Sequence, residues 1–474
     1  MSKFIGRQKE LKKLLDLSKK KSASFIVVRG RRRIGKSRLI LEYSKHFDKF
    51  YTFEGLAPEV NVTAQDQLKE FSKQMAQQLK LPLAKYDDWS DALWAIGERI
   101  KTGKILLFFD EISWMATNEP TFLGKIKYFW DNYLKKNNQL IFIVCGSASA
   151  WIEKKILSGT GFVGRISYTL TLEELPLSDC KQFWPKNISA FEKLKVLAVT
   201  GGVPKYLEEI NTKVSAEENI KQLCFTRGAI LVEEFRQIFS DLFLRDSLFY
   251  KKIVGVLVTG PKERNEICKL LEIDAGGRIS EYLTELELAG FITRDYTWSI
   301  KSGVDSKLSQ YRLHDNYLRF YLKYIDKNLS KINRNSFHLK SLASLPEWNT
   351  IIALQFENLV LNNRSLIHQA LNITPEEIIS ENPFYQRKTH AHAGCQIDYL
   401  IQTKFNTLYI CEIKFSKNTI DSSVIHDIQR KIDSLSYPKG VSCRPVLIHV
   451  NGVSEDVLDS DYFSSIVDFS DFLK

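Results

Sequence analysis

Two groups of residues in this chain have the types and the spacing that chemistry on phosphate requires. The first is the stretch GRRRIGKS, in which Gly30, Gly35, Lys36 and Ser37 fit the pattern G-x-x-x-x-G-K-[ST]. Backbone N–H groups of such a loop, and of the helix after it, would surround a β-phosphate. The Lys36 ammonium would reach the β- and γ-oxygens, and the Ser37 hydroxyl would bind Mg²⁺. The pattern therefore predicts a site for a nucleoside triphosphate with Mg²⁺.

A second segment supports this site. ILLFFDE, residues 105–111, has the pattern of a buried strand that ends in Asp110 and Glu111. Asp110 would hold the Mg²⁺ shell, and Glu111 would orient or activate the attacking water. Taken alone, each segment has a plain alternative: a basic surface turn for the first, and a strand ending in solvated acids for the second. Their order along the chain favours the nucleotide site.

The second group lies in AGCQIDYLIQTKFNTLYICEIKFSK, residues 393–417. Two apolar runs flank the polar turn TKFNT, which predicts a hairpin centred on residue 405. Asp398 then pairs with Glu412, and Lys414 shares the face of Glu412 because side chains alternate along a strand. Facing carboxylates repel unless a divalent ion lies between them. The hairpin therefore predicts a site for Mg²⁺ or Mn²⁺.

This predicted metal site suits hydrolysis of a phosphodiester. A metal-bound hydroxide would attack, while Lys414 would orient the water or stabilise the developing charge. Glu357, in the helical stretch LQFENLVLNN, could add a further carboxylate. Two alternatives stay open: a polar edge hairpin whose acids and lysine form salt bridges, and a fold that binds DNA without cutting it.

The elements that hold the first site follow from the period of the apolar residues. Buried strands are predicted at 24–30, 104–110 and 139–146, with helices at 62–80, 89–101 and 121–136. This alternation predicts an α/β fold in which helices cover both faces of a parallel sheet. Residues 175–245 have a helical pattern only, and a mixed α/β pattern begins near residue 346.

A compact group of helices and strands lies between these regions. KERNEICKLLEI and GRISEYLTELELAG predict two short helices, and FITRDY with SQYRLHD predicts a hairpin. That order is typical of a winged helix. The second helix would then be the recognition helix, with Arg278 and Ser280 as DNA contacts at its exposed start. The helix carries about as many acids as bases, so packing without DNA contact stays open.

Four further stretches accompany the nucleotide motifs: FIGRQKEL (4–11), CGSASAW (145–151), GFVGRISY (161–168) and TGGVPKYL (200–207). With them, the chain resembles the archaeal-type ATPases, P-loop proteins of the AAA-like, signal-transducing (STAND) branch, over at least residues 4–325. The resemblance implies ATP as the nucleotide, with Phe4 to Arg7 near the adenine. It also implies Ser147 as a sensor at a strand end and Pro204 close to the nucleotide. Arg165 is then either a finger or sensor for the γ-phosphate, or a surface arginine in a Gly-rich turn.

The C-terminal hairpin has a resemblance of its own. D-x13-E-x-K resembles the PD-(D/E)xK nuclease superfamily, as found at the C-terminus of archaeal-type ATPases, with Ile397 in place of the usual proline. It implies a restriction-endonuclease-like α/β domain. Asp398, Glu412 and Lys414 would be catalytic, and Asp398, Glu412 and Glu357 would bind the metal. The resemblance also suggests a polar role for Gln429.

The aromatic residues of YRLHDNYLRFYLKY, 311–324, are interpreted as core.

These assignments divide the chain into five segments. They are a P-loop ATPase core at 1–174, a helical lid at 175–245, a winged helix at 246–325, a linker at 326–345 and a nuclease-like domain at 346–474.

Composition narrows the class of protein and of partner. The net charge of +11 favours a polyanion, with DNA as the predicted partner and RNA not excluded. Apolar runs are far too short for a membrane span, and the N-terminal residues lack the apolar stretch of a secretory signal. The seven scattered cysteines have no CxxC spacing and predict reduced thiols. We therefore expect a cytoplasmic protein without a membrane partner; a homo-oligomer stays open.

Together, these features predict an ATP-hydrolysing protein coupled to a metal-dependent nuclease that acts on DNA, with the nucleotide state controlling DNA engagement. Two alternatives keep a nuclease-like domain that does not cut. One is a nucleotide-dependent DNA-binding switch, and the other is a signalling scaffold.

Overall fold

The computed structural model describes residues 3–57, 62–147, 149–242, 247–390 and 393–474. Two compact units divide the chain. The first comprises Met1–Leu175, Ile238–Arg245 and Leu288–Gly290, and the second comprises Pro176–Gln237, Asp246–Glu287 and Phe291–Lys474.

The first unit is an α/β sandwich. Its strands are β1 Ser24–Arg29, β2 Lys49–Glu54, β3 Ile105–Asp110, β4 Ile141–Gly146 and β5 Tyr168–Thr171. Its helices are α1 Gln8–Leu17, α2 Lys36–Ser44, α3 Ala64–Leu79, α4 Trp89–Gly97, α5 Ile112–Met115, α6 Phe122–Asn132 and α7 Ser149–Ile152. All strands pair in parallel, in the order β2-β3-β4-β1-β5. The predicted strands and helices of this region, and the predicted parallel sheet, are confirmed.

The sheet of the first unit is buried on both faces, as its continuous apolar strands predict. In β1, Phe25 and Val27 point into one core, formed with α3, α4 and α6. Ile26 and Val28 point into the other core, formed with α1 and α2. Burial on both faces fixes the strand ends, where the chemistry-bearing residues lie.

The rest of the chain begins with helices: α8 Leu177–Cys180, α9 Ala190–Thr200, α10 Pro204–Leu207, α11 Ala216–Phe225, α12 Ile230–Leu242, α13 Ser247–Val256, α14 Arg264–Leu270 and α15 Gly277–Leu288. It continues with β6 Ile292–Trp298, β7 Asp305–Leu313, α16 Asn316–Phe320, α17 Asp326–Asn333, α18 Trp348–Leu361, α19 Arg364–Ala370, β8 Ile378–Gln386, β9 Cys395–Thr403, β10 Thr407–Lys414, α20 Ser423–Ser434, β11 Ser442–His449, α21 Glu455–Asp459 and β12 Ser465–Asp468. Turns of π-helix occur at Glu153–Leu157 and Tyr321–Ile325.

A mixed five-stranded sheet organises the C-terminal part, in the order β12-β11-β10-β9-β8. β10 pairs in parallel with β11, whereas β8, β9 and β10 run antiparallel. The β9–β10 hairpin pairs from Thr403↔Thr407 to Tyr399↔Cys411. This register confirms the predicted centre at residue 405 and leads directly to Asp398 and Glu412.

The β6–β7 hairpin, predicted as the wing, packs against this sheet. The Trp298 indole N–H donates to the Gln402 amide oxygen at 2.5 Å, and Gln402 Nε2 donates to the Ile300 carbonyl at 2.8 Å. Asn382 Nδ2 donates to the Tyr296 carbonyl at 3.2 Å. The hairpin therefore serves as a packing element here, and a winged-helix role for 246–325 stays a prediction.

A buried polar network joins α16 and β7 to α18. Asn358, fully buried, donates to the carbonyl oxygens of Leu313 at 2.8 Å and His314 at 3.2 Å, and to Asn316 Oδ1 at 3.0 Å. The same amide accepts from the Arg312 guanidinium. Every polar atom of Asn358 is thus satisfied, which makes its removal costly.

Three further predictions can be compared with the structure. Tyr317, Phe320 and Tyr324 are buried, which confirms the interpretation of 311–324 as core. The segment 326–345, predicted as a linker, contains α17. The seven cysteines are thiols and are not joined in disulfides, as predicted. Within the described residues, no helix has both the length and the apolar character that crossing a bilayer requires.

Replacing Asn358 tests the network. Asn358→Ala strands buried donors and acceptors on Arg312 and Leu313, so we expect the free energy of unfolding to fall by about 2–3 kcal/mol. Thermal and urea unfolding of the full chain measure this change. The exposed Asn418→Ala is the matched control and should change stability by less than about 0.5 kcal/mol. Equal stability of the two variants would contradict the assigned network.

Candidate functional site

The loop between β1 and α2 has a backbone that demands glycine. Gly30 has φ +146° and Gly35 has φ +89°, both in the region that disfavours side chains. A Cβ on Gly30 would lie 2.4 Å from the Leu172 carbonyl oxygen, which leaves no room for any larger residue. Arg33 also has a positive φ, of 66°. The backbone of the loop is therefore tightly curved. This curvature lets the backbone amides of the loop point toward one phosphate.

Lys36 and Ser37 begin α2 and project from this loop. The buried Lys36 ammonium donates to the carbonyl oxygens of Gly30 at 2.9 Å and Arg31 at 3.0 Å. The exposed Ser37 hydroxyl donates to Asp110 Oδ2 at 2.5 Å. Gly35 is the N-cap of α2 and has no side chain to cap the first-turn amides. The structure therefore brings the lysine, the hydroxyl and the Asp110 carboxylate to one helix N-terminus.

The strand order explains how Ser147 meets Glu111. Because β4 lies between β1 and β3, Ser147 at the end of β4 is next to Glu111, which follows β3. The backbone N–H and the hydroxyl of Ser147 both donate to Glu111 Oε2, each at 3.1 Å. Burial raises the pKa of Glu111; the charge of Asp110 adds to this rise, and Lys36 opposes it. Ser147 therefore orients a carboxylate at the edge where Lys36 and Ser37 lie.

Arg7 has a structural role that the sequence did not indicate. Its buried guanidinium donates to the Ile34 carbonyl, within the loop, at 3.1 Å and also to the Glu173 carbonyl. The same group pairs with Glu10 Oε1 at 3.0 Å. Arg7 thus ties the N-terminal segment to the loop and to the chain after β5. The predicted contact between adenine and the segment Phe4–Arg7 stays a prediction. Phe4 is half-buried against the α1–α2 core.

Two other predicted nucleotide contacts lie in different surroundings. The Arg165 guanidinium forms an ion pair with Asp131, with Nη2 2.8 Å from Oδ2 and Nε 3.1 Å from both oxygens. In this arrangement Arg165 is held by α6. Pro204 begins α10, in the second unit. Roles for both residues in nucleotide binding stay predictions.

The groups at the β1–α2 loop fit ATP with Mg²⁺ in their donor chemistry. Backbone amides and the Lys36 ammonium suit phosphate oxygens. The Ser37 hydroxyl and the Asp110 carboxylate are hard oxygen donors that already meet, as a shared cation requires. We therefore assign these residues, with Glu111 and Ser147, as the candidate nucleotide site.

The second candidate site lies on the C-terminal sheet, where Asp398 and Glu412 are next to each other on neighbouring strands. Asp398 Oδ2 accepts from the Ile413 backbone N–H at 2.9 Å. Glu412 is buried, with 3% of its side chain exposed, and Oε1 lies 2.9 Å from the Lys414 ammonium. Leu400, below the two acids, belongs to the core under the sheet, as predicted.

Lys431, from α20, completes this cluster. Its ammonium lies 3.3 Å from Asp398 Oδ1 and also contacts Glu412 Oε2, so it bridges the two carboxylates. Burial opposes the charge of Lys431, yet the two carboxylates raise its pKa above the ordinary value. Burial and the charge of Glu412 raise the pKa of Asp398. We call Asp398, Glu412, Lys414 and Lys431 the carboxylate–lysine cluster.

Glu357 lies on α18, which packs against β10. Burial, followed by the charge of Asp398, raises the pKa of Glu357 to about 7. Among the described residues, no group of three or more His, Cys, Asp or Glu side chains is arranged to hold a metal ion. A metal role for Glu357 therefore stays a prediction.

The sequence analysis named Gln429 of α20 and did not name Lys431. The Gln429 amide donates to Asp433 Oδ1 at 2.7 Å and accepts from the Tyr462 hydroxyl at 2.9 Å, and the suggested polar role of Gln429 stays a prediction. Lys431 lies two positions further along, and its spacing of four residues from Asp427 places both on one helix face. Asp427 is 4.0 Å from Lys414, so that face of α20 covers the cluster. The i, i+4 spacing shows that Asp427 and Lys431 share a face of α20, but it does not indicate that this face packs over the two carboxylates.

The predicted DNA contacts on α15 lie at its start. Arg278 is exposed; its Nε donates to the Tyr282 hydroxyl at 2.9 Å and its guanidinium stacks over that ring. Ser280 is half-buried, and its carbonyl accepts from the Thr284 hydroxyl at 2.9 Å. A role for either residue in DNA binding stays a prediction.

Comparison with known protein families finds a match in the N-terminal part of the chain. Residues 4–210 match the family described as "ATPase domain predominantly from Archaea". This match supports the predicted archaeal-type ATPase domain over these residues. The match covers less than half of the residues, and it does not extend to the predicted winged helix or to the C-terminal domain.

Individual proteins give a weaker likeness. An uncharacterized protein of Methanocaldococcus jannaschii, MJECL04, is 28% identical over 363 residues, which are 75% of this chain and 75% of that protein. The Walker-type ATPase PABY2304 of Pyrococcus abyssi has a TM-score of 0.48 and 16% identity over 67% of this chain and 96% of its own.

The ORC1 protein of Aeropyrum pernix, solved in complex with DNA, has a TM-score of 0.34 and 11% identity over 69% of this chain and 95% of its own. TM-scores below 0.5 do not establish a common fold over such lengths. No activity or partner follows from these likenesses.

Replacing Arg7 separates its two assigned roles. Because its guanidinium holds the loop backbone, we expect Arg7→Ala to raise the Kd for ATP and for GTP by the same factor, about tenfold. Binding of fluorescent nucleotide analogues to the full chain measures both constants. The exposed Arg99→Ala is the control and should leave them unchanged. Weaker ATP binding with unchanged GTP binding would instead indicate contact with the base.

Proposed function

We propose that the first domain binds and hydrolyses ATP, and that its nucleotide state controls how the C-terminal domain engages DNA. The observation that carries the ATPase part is the convergence of Lys36, Ser37, Asp110 and Glu111 at one edge of the parallel sheet. Bound Mg²⁺ would neutralise charge on the phosphates. The protein's own side chains would bind the nucleotide and position the attacking water.

Each of these groups has a distinct role in the proposal. Lys36 would exchange its bonds to the loop carbonyls for bonds to the β- and γ-oxygens of ATP. Ser37 and Asp110 would bind the Mg²⁺ that accompanies the phosphates. Glu111, oriented by Ser147, would orient or deprotonate the attacking water. Its raised pKa makes the Glu111 carboxylate a stronger proton acceptor toward that water.

Two variants separate nucleotide binding from hydrolysis. Lys36→Ala should raise the Kd for ATP at least about a hundredfold, because a buried charge-assisted contact with phosphate is lost. Glu111→Gln should keep ATP binding and lower kcat by about a hundredfold or more. Equilibrium binding and phosphate release measure the two effects. The exposed Lys101→Ala is the control for Lys36. Wild-type turnover in either site variant would refute its assigned role.

For the C-terminal domain we propose metal-dependent hydrolysis of phosphodiester bonds in DNA. The convergence of Asp398, Glu412 and Lys414 on one face, in the register the hairpin requires, supports this chemistry. The Lys431 ammonium lies between the two carboxylates, where a divalent cation would bind. The two carboxylates are hard oxygen donors, which fit Mg²⁺ or Mn²⁺. The net charge of +11 supports a polyanionic substrate.

Residue roles follow from the same contacts. Asp398 and Glu412 would hold the metal, which supplies an activated water and neutralises phosphate charge. Lys414 is 38% exposed and reaches the solvent side of Glu412, where it could steady the phosphate oxygens. The Ile413 N–H fixes Asp398 in place.

A second candidate function is a nucleotide-dependent switch that binds DNA without cutting it. The observation in its favour is the same Lys431 ammonium, because both carboxylates already have a cationic partner. A polar cluster whose charges are balanced in this way is stable without metal.

Cleavage of plasmid and single-stranded DNA, with Mg²⁺ or Mn²⁺ and with or without ATP, distinguishes the two candidates. We expect Asp398→Asn to lower cleavage at least about a hundredfold with ATP hydrolysis unchanged. The exposed Asp459→Asn should match wild type. Equal cleavage by Asp398→Asn would remove the site from the reaction. Absent cleavage with salt-sensitive DNA affinity would favour the switch. ATP-dependent assembly without DNA affinity would favour a signalling scaffold.

A further inference from the structure

The position of Lys431 has consequences that the proposed metal chemistry does not include. Its ammonium is 3.3 Å from Asp398 and in contact with Glu412, while Lys414 holds the other oxygen of Glu412 at 2.9 Å. The cluster thus contains two carboxylates and two ammonium groups, with no net charge. A divalent ion entering between the acids would meet an ammonium already seated there.

The helix that carries Lys431 is anchored, so the side chain rather than the backbone must move. Val424 and Ile428 of α20 are buried in the core under the sheet. The Cys395 thiol donates to the Lys431 carbonyl at 3.3 Å, and Gln386 Nε2 donates to the Ser434 carbonyl at 3.0 Å. These contacts hold the helix on both sides of the cluster.

The Lys431 side chain itself has a route out. It is 21% exposed, whereas Glu412 is only 3% exposed. A lysine side chain has four methylene groups joined by rotatable bonds, so the ammonium can turn toward water while the methylene groups stay against the helix. An arginine fork in this position would instead hold both acids more rigidly.

We propose that Lys431 is an internal counter-cation that occupies the metal position between Asp398 and Glu412, and that a divalent ion binds there only when this ammonium swings out. The inference rests on the proposed metal site. Lys431 would then set the affinity for the metal, and its charge would offset the repulsion between the two acids when no metal is bound. Displaced toward solvent, the ammonium would no longer lie between the two carboxylates.

Binding of Mn²⁺ to the full-length protein, without nucleotide or DNA, tests this role. Electron paramagnetic resonance of free Mn²⁺ gives the Kd. We expect Lys431→Met to bind at least about tenfold more tightly than wild type, because the competing charge is gone. The exposed Lys439→Met is the control and should match wild type. Wild-type Mn²⁺ affinity in Lys431→Met would overturn the proposal.

Two further variants locate the effect and guard against misfolding. In Asp398→Asn/Lys431→Met, the gain in Mn²⁺ affinity should disappear, because one metal ligand is missing; a gain that persists would overturn the proposal. Lys431→Arg keeps the positive charge and should bind Mn²⁺ no more tightly than wild type. A tenfold gain in that variant would also overturn it.

Thermal unfolding gives an independent reading of the same competition. In chelator, Lys431→Met should have a lower Tm than wild type, since two neighbouring carboxylates lose their shared cation. Saturating Mn²⁺ should raise the Tm of this variant more than that of wild type. An equal Mn²⁺ shift in the two proteins would contradict the exchange of ammonium for metal.

Neither readout depends on DNA cleavage, so the inference and the proposed function can fail separately. Tighter Mn²⁺ binding by Lys431→Met in a protein that never cuts DNA would support the counter-cation and refute the nuclease. Cleavage by wild type with no change in Mn²⁺ affinity on Lys431→Met would support the nuclease and refute the counter-cation.

Discussion

The repulsion between Asp398 and Glu412 is the constraint around which the C-terminal domain is arranged. The hairpin register brings the two acids to the same end of adjacent strands, and burial of Glu412 keeps water from screening them. Such a pair is stable only with positive charge at hand. Lys414, from the same strand as Glu412, contacts one of its oxygens, and α20 supplies Lys431 to bridge the pair. The sheet, the helix that packs on it and the two lysines therefore form one electrostatic unit.

The first domain handles charge in a related way. The Lys36 ammonium is buried, and carbonyls of its own loop hold it at the position where phosphate oxygens would take over. Ser37 and Asp110 hold each other where a metal would join them. In both sites, polar groups thus satisfy one another through contacts that a ligand can replace, which avoids the cost of leaving buried charges unpaired. Binding of a ligand at either site would therefore be an exchange of partners.

Sequence patterns predicted the parts of these sites that depend on local geometry. Strand alternation and a symmetrical turn were enough to place Asp398 and Glu412 close together at one end of the hairpin, and the glycine spacing was enough to locate Lys36 and Ser37. Lys431 could not be found in that way, because its place follows from how α20 packs on the sheet. The same applies to Arg7, whose bond to the Ile34 carbonyl joins segments far apart in the chain. The β6–β7 hairpin was correctly predicted as a hairpin, yet its packing on the C-terminal sheet is a tertiary contact that no local pattern encodes.

We propose that Asp398 and Glu412 share a cation position that can exchange an ammonium for a divalent ion. A crystal structure of the wild-type protein grown with saturating Mn²⁺, with data collected at the manganese absorption edge, would show this exchange. We expect an anomalous peak between the two carboxylates and a Lys431 side chain turned toward solvent. A Lys431 ammonium still bridging the acids, with no anomalous density beside them, would contradict it.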